Sequence, residues 1–160
     1  MKKLSHFDQA GAPRMVDVSA KPASLRTARA QAFVKIGPAA LNKLPRNPKG
    51  NPLEIARIAG IAAAKKTAEL IPLCHPLLVT HVEVETRVET KGVRIVSTAA
   101  THSATGVEME ALTAAAVAAL TVYDMTKALD RSIEIQHVCL LEKTGGQSGD
   151  FRRKPGRKRP

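Results

Sequence analysis

The stretch that decides the fold is Val79-Thr-His-Val-Glu-Val-Glu-Thr-Arg-Val-Glu89, then Thr90-Lys-Gly92, then Val93-Arg-Ile-Val-Ser-Thr-Ala99. Val82, Val84, Thr86 and Val88 alternate with His81, Glu83, Glu85, Arg87 and Glu89. Successive side chains of an extended chain point to opposite faces, so this pattern buries one face and wets the other. Thr90-Lys-Gly92 turns the chain and Val93–Ala99 returns as the partner strand. A hairpin with one wet face suits an antiparallel sheet.

Upstream, Ala28, Ala30, Ala32, Val34 and Ile36 fall at every second position of Arg26–Ile36. That period predicts a strand, although the alanines alone would tolerate a helix. Gly37-Pro38 ends it and opens a short helix to about Leu44, and Pro45–Pro52 (PRNPKGNP) is a loop by composition. Leu53–Leu70 reads as a helix with Ile55, Ile58, Ala59 and Ala62 marking one apolar face, stopped by Pro72. Downstream, Thr105-Gly-Val-Glu108 fits a capping box, with Thr105 as N-cap and Glu108 reaching back to it. A long alanine-rich helix follows to about Leu129, Ile133–Leu141 is a last strand, and Gly145–Gly149 is a flexible loop. The order β-α-α-β-β-α-β predicts an α+β fold, a ferredoxin-like antiparallel sheet packed against two main helices with an extra short helix. One domain is expected over residues 1–150, with 1–13 flexible, followed by a disordered basic tail over 151–160.

Composition narrows the function. The formal charge is +11 over 160 residues, but the tail FRRKPGRKRP holds six of the 25 basic residues and no acid, leaving 19 basic against 14 acidic groups in the body. A modestly positive body suits an anionic small molecule. With no Trp, one Tyr and three Phe, the chain lacks the platforms on which a nucleic-acid binder stacks bases. Cys74 and Cys139 are too few for a disulfide framework. MKKLSHFDQAG has no apolar stretch behind its lysines, and no run approaches a membrane span, so the cytoplasm is the expected compartment.

Three places concentrate reactive side chains. Ile71-Pro-Leu-Cys-His-Pro76 is a stiff loop that can present His75 at fixed geometry, the simpler reading being a buried Cys beside a surface His. A zinc site would need further ligands at sensible spacing; His81, His102 and Cys139 are scattered, so no metal is expected. Glu108-Met109-Glu110 opens the long helix; the helix dipole and capping box account for Glu108 but less for Glu110, which could accept from a guanine-like edge. Tyr123-Asp124-Met-Thr-Lys127 places Asp124 and Lys127 at i and i+3, where a surface ion pair is the ordinary outcome. Yet Asp124 emerges from an uncharged run that includes Leu112 through Tyr123, where an amine and a carboxylate could tune each other for proton transfer. Lys49 sits in the Pro48-Lys49-Gly50 loop as a mobile cation. Glu110 and Asp124 lie 14 residues apart on nearly one helix face, roughly 21 Å at 1.5 Å per residue. A compact ligand on one chain could hardly touch both, which predicts a site assembled from two subunits.

MVDVSAK (15–21), KGNPLEIARIAGIAAAKKT (49–67), IPLCHPL (71–77), TGVEMEALTAAAVAALTVYDMTKA (105–128) and GGQSGDF (145–151) closely resemble the molybdenum-cofactor-biosynthesis protein C family, the cyclic pyranopterin monophosphate synthases. The likeness runs in unbroken order from about residue 5 to 152. It implies a lyase that rearranges 3',8-cyclo-7,8-dihydroguanosine 5'-triphosphate to cyclic pyranopterin monophosphate and pyrophosphate, with no cofactor. It also implies a homohexamer of three dimers. By the same resemblance Asp124, Lys127, Lys49 and His75 are catalytic, while Leu73, Cys74, His75, Glu108, Met109 and Glu110 contact substrate. Two departures stand out: Gln147 where the glycine loop often carries lysine, and Ala104 where a lysine can occur. Phosphate charge would then fall to Lys65, Lys66 or Arg26. The rival reading is a non-catalytic ferredoxin-like nucleic-acid module that uses the basic tail.

Overall fold

The computed structural model describes residues 10–146 and 149–154. In chain order it contains β1 (Ser24–Lys35), α1 (Pro38–Leu41), a 3₁₀ turn (Leu44–Arg46), α2 (Pro52–Ala64) and α3 (Thr67–Leu70). Then follow β2 (Val79–Glu89), β3 (Gly92–Ser103), α4 (Glu108–Thr126), β4 (Glu134–Thr144) and β5 (Phe151–Arg152). The sheet order is β2-β3-β1-β4-β5, and every neighbouring pair is antiparallel. The first four strands have the expected ferredoxin-like order, and β5 extends it at one edge. The alternating alanines of β1 settle as a strand, since Ala28, Ala30, Ala32 and Val34 are all buried against the helices.

The register decides which faces are wet. Val82 and Val84 turn toward the helices, and Glu83, Glu85 and Arg87 turn to solvent. On the open face the charges pair across strands: Arg29 with Glu142 at 3.1 Å, Lys35 with Glu134 at 3.1 Å, and Arg94 with Glu89 at 2.9 Å. Two register shifts between β1 and β4 mark irregular pairing, and beside them His137 adopts φ 54°, a conformation rare outside glycine.

Three expectations need correction. The helix expected over 53–70 breaks after Ala64, because the buried Thr67 hydroxyl donates to Ala64 O at 3.0 Å and competes with the helical ladder. Its buried face is also not the isoleucine face: Ile55 and Ile58 are 46% and 64% exposed, whereas Ala56, Gly60, Ala63 and Ala64 are buried. Helix α2 lies so close to α4 that only small residues fit between them. A Cβ on Gly60 would stand 2.8 Å from Ala114 O and 3.2 Å from Ala118 Cβ. Gly60→Val is therefore expected to destabilise the fold by about 1–3 kcal/mol, read as a lowered melting temperature. An unchanged melt would show that the helices can separate freely.

The capping box is the second correction. Helix α4 begins at Glu108 behind Val107, with no side-chain cap, and the Glu108 carboxylate instead accepts from Lys143 Nζ at 2.9 Å. An ammonium reaching over from β4 outbids a neutral backbone N–H. The third concerns the tail, whose first two residues belong to the sheet. Phe151 pairs with Lys143 and Arg152 with Glu142, after a turn in which Gly145, Gly146 and Gly149 all take positive φ. The expectations for residues 1–9, Gln147 and 155–160 lie outside the described residues.

Two buried hydroxyls fix the parts that matter for function. Ser97 Oγ donates to Ala111 O at 2.6 Å and pins the start of α4 to β3. Thr101 Oγ1 donates to Leu78 O at 2.8 Å and fixes the exit of the loop that carries His75.

Candidate active site

A cleft of about 870 Å³ opens where the start of α4 meets the 71–77 loop, the N-terminal segment and the ends of β1 and β4. Leu73, Cys74, His75, Glu108, Met109 and Glu110 all line it. The loop is stiff for the reason its sequence suggests: Pro72 and Pro76 restrict the backbone, and Cys74 N donates to Ile71 O at 3.0 Å. His75 Nε2 donates to Val16 O at 2.7 Å, which fixes the protonated nitrogen and ties Met15–Lys21 across the opening.

The electrostatics of the cleft are mixed by design of its walls. Glu110 is 4% exposed, and its carboxyl accepts from its own backbone N–H. Burial pushes its pKa up, since the carboxylate loses hydration; the hydrogen bond from its own backbone N–H opposes this and the charge of Glu108 adds to it. Cys74 is raised mainly by burial and then by the charge of Glu110, so it is a thiol rather than a nucleophilic thiolate. Lys21, Arg26 and Lys143 bring positive charge to the same walls. Arg26 donates through Nη2 to Ala104 O at 3.4 Å, while its buried Nε has no hydrogen-bond partner among the described residues.

The second group of expected residues is elsewhere. At the far end of α4, Lys127 Nζ donates to Asp124 Oδ1 at 2.7 Å. Lys49 Nζ lies 3.7 Å from Asp124 Oδ2 and donates to Asp124 O at 3.3 Å. The hydrogen bond from Lys127, then the charges of Lys127 and Lys49, hold the Asp124 carboxyl below the usual carboxylate range. Asp124 in turn raises Lys127. None of the three lines the cleft.

The expected residues therefore converge at two places joined by one unbroken helix. Of the suggested phosphate partners, Arg26 lines the cleft, whereas Lys65 and Lys66 are exposed at the end of α2 and do not. Lys21 and Lys143 carry no signal as site residues in the sequence. Lys143 sits in an ordinary strand and Lys21 in a short polar segment, and only the folding of β4 and the N-terminal segment brings them together. Among the described residues, no group of three or more His, Cys, Asp or Glu could hold a metal ion. Among the described residues the open face of the sheet offers no base-stacking platform, since Phe33 is buried with the Arg94 guanidinium 4.8 Å over its ring. No helix among the described residues is long and apolar enough to cross a membrane.

A ferredoxin-like α+β scaffold with a cleft of this size, a buried carboxyl and converging cations defines a small-molecule enzyme rather than a sheet-face nucleic-acid binder. The MoaC family model matches residues 15–146. The chain is 52% identical over 157 residues to the cyclic pyranopterin monophosphate synthase of Parvibaculum lavamentivorans, covering 96% of this chain and 98% of that one. It is 54% identical over 155 residues to that of Roseiflexus sp., covering 94% and 98%. It is likewise 54% identical over 153 residues to cyclic pyranopterin monophosphate synthase 1 of Mycobacterium tuberculosis, covering 94% and 90%. The chain belongs to the MoaC family, and it is a lyase of molybdenum cofactor biosynthesis.

Proposed function

We propose that the chain converts 3',8-cyclo-7,8-dihydroguanosine 5'-triphosphate to cyclic pyranopterin monophosphate and pyrophosphate in the cytoplasm, as a homohexamer of three dimers whose sites are shared between chains. The observation that carries the shared site is the division of the reactive residues between the two ends of the 19-residue α4, with Glu110 and Asp124 14 residues apart. Helix α4 also has a face suited to a second copy: Leu120 is 57% exposed, and Leu112, Ala116 and Val117 are only half-buried. A two-fold axis across this face would run two copies antiparallel and set Asp124 of one chain beside Glu110 of its partner.

In such a site Glu110 accepts from the N–H edge of the guanine-derived ring. Its buried carboxyl, bonded to its own backbone N–H, has acceptor capacity left for a donor that arrives with the substrate. Lys21, Arg26 and Lys143 meet the triphosphate, and Arg26 Nε has a bond left to give. His75 orients the substrate. Asp124 moves protons at the reacting ring, with Lys127 and Lys49 as proton donors or as counter-charges to developing anions. Ring opening and reclosure leave a ribose hydroxyl to attack the inner phosphorus; its proton goes to the base, the bond to the outer two phosphates breaks, and pyrophosphate leaves.

The purified chain incubated with the cyclised triphosphate is expected to form cyclic pyranopterin monophosphate and pyrophosphate in equal amounts. Consumption of substrate without pyrophosphate, or binding with no turnover, would remove this reading.

A further inference from the structure

The loop that carries Lys49 is anchored to α4 through one side chain. Asn47 Nδ2 donates to Met125 O at 2.9 Å, and its Oδ1 accepts from Lys49 N at 2.9 Å. One planar amide thus links the backbone beside Asp124 to the backbone of the lysine that faces it. The rest of Asn47 is equally committed: its N–H donates to Leu44 O at 3.2 Å and its carbonyl accepts from Gly50 N at 3.1 Å. Pro48 holds Asn47 in extended backbone, at φ −65° and ψ 125°. The neighbouring Asn51 has a different task, capping α2 by accepting from Leu53 N at 3.0 Å.

We propose that Asn47 is a positioning residue for the reaction, fixing where the Lys49 amine stands relative to Asp124 and Lys127. The lysine stem has four rotatable carbons, and among the described residues its amine touches only the carbonyl and the carboxylate of exposed Asp124, at 3.3 and 3.7 Å. Such contacts hold a long side chain weakly. Anchoring its backbone to the last turn of α4 is what limits the volume the amine explores. The helix end also supplies the acceptor: Met125 O lies in the terminal turn, where carbonyls lack a helical partner. A cap on α4 would explain the bond to Met125, but it would not require the same amide to grip Lys49.

The inference rests on the reading of Lys49 and Asp124 as reacting groups, so Lys49→Ala is run beside the Asn47 variants. Asn47→Ala in the full-length assembled protein is expected to lower kcat by about ten- to a hundredfold, because a catalytic group displaced by about 1 Å loses that much. KM for the cyclised triphosphate stays within about twofold, since the phosphate and ring contacts lie in the cleft. The acid limb of kcat should move to higher pH, since a retreating Lys49 no longer helps Lys127 hold the Asp124 carboxyl low. Asn47→Asp keeps the acceptor for Lys49 N and removes the donor to Met125 O; the same losses are expected, and this variant decides if the alanine chain fails to assemble. Full kcat in both variants beside an inactive Lys49→Ala overturns the proposal. So does a lower melting temperature with an unmoved acid limb, which would make Asn47 a cap and nothing more. Full kcat in Lys49→Ala removes the reading of the Asp124 group, and the positioning role with it.

Discussion

Asp124→Asn protein is expected to assemble and to bind the cyclised triphosphate, and to turn it over about two to four orders of magnitude more slowly. The asparagine keeps the shape of the side chain and can still accept from Lys127, 2.7 Å away in the native chain. It cannot take up a proton or carry charge. Because Asp124 and its two lysines stand in solvent, their pairing adds little stability and the melt should hardly move. The pH dependence has a definite sign. Lys127 and Lys49 depress the carboxyl's pKa, so the ionised form persists below the usual carboxylate range and is lost only as pH falls through the lowered value. Native activity that needs this carboxylate should keep its acid limb low, and the asparagine variant should lack that limb. Calorimetry with the cyclised triphosphate and steady-state rates across pH would separate binding from turnover; unimpaired turnover would refute the assignment.

The sheet was legible because its strands are wet on one side. An alternation such as Val82, Val84 and Thr86 against Glu83, Glu85 and Arg87 has no competing helical reading, and it fixes register and face together. The failure at α2 has an equally physical cause. Hydrophobicity ranks isoleucine above glycine and alanine, so the periodicity marks the face of Ile55 and Ile58 as the apolar one. What decides the face is how near the neighbouring helix comes, and Gly60 against Ala114 and Ala118 sets a distance that no branched side chain tolerates. Nearness between distant segments is absent from a local pattern. The capping box failed similarly, because Glu108 has a better partner 35 residues away in Lys143.

For the site, the legible part was whatever is local. Ile71–Pro76 announces a stiff loop, Asp124 and Lys127 announce their own pair, and the spacing of Glu110 from Asp124 along one helix announces their separation. Lys21 and Lys143 come from segments far apart in sequence, and each is an ordinary polar residue until β4 and the N-terminal segment meet; Arg26 is named in advance only as one of three cations that could meet phosphate. Asn47 was hidden for a subtler reason. In PRNPKGNP it reads as one more turn residue, and only contact with the end of α4 gives its amide a purpose.

A site shared between chains means that neither end of α4 suffices within its own chain. Asp124→Asn and Glu110→Gln should each be inactive alone, since every site then lacks one half. When the two are dissociated, mixed in equal amounts and reassembled, about half of the dimers pair one chain of each kind. Each such dimer holds one doubly altered site and one intact site, so the mixture should regain about a quarter of native turnover. Differently tagged chains, followed by native mass spectrometry, report the exchange in the same sample. Recovery near that level is the predicted result; complete exchange with no recovered turnover would contradict a site shared between chains.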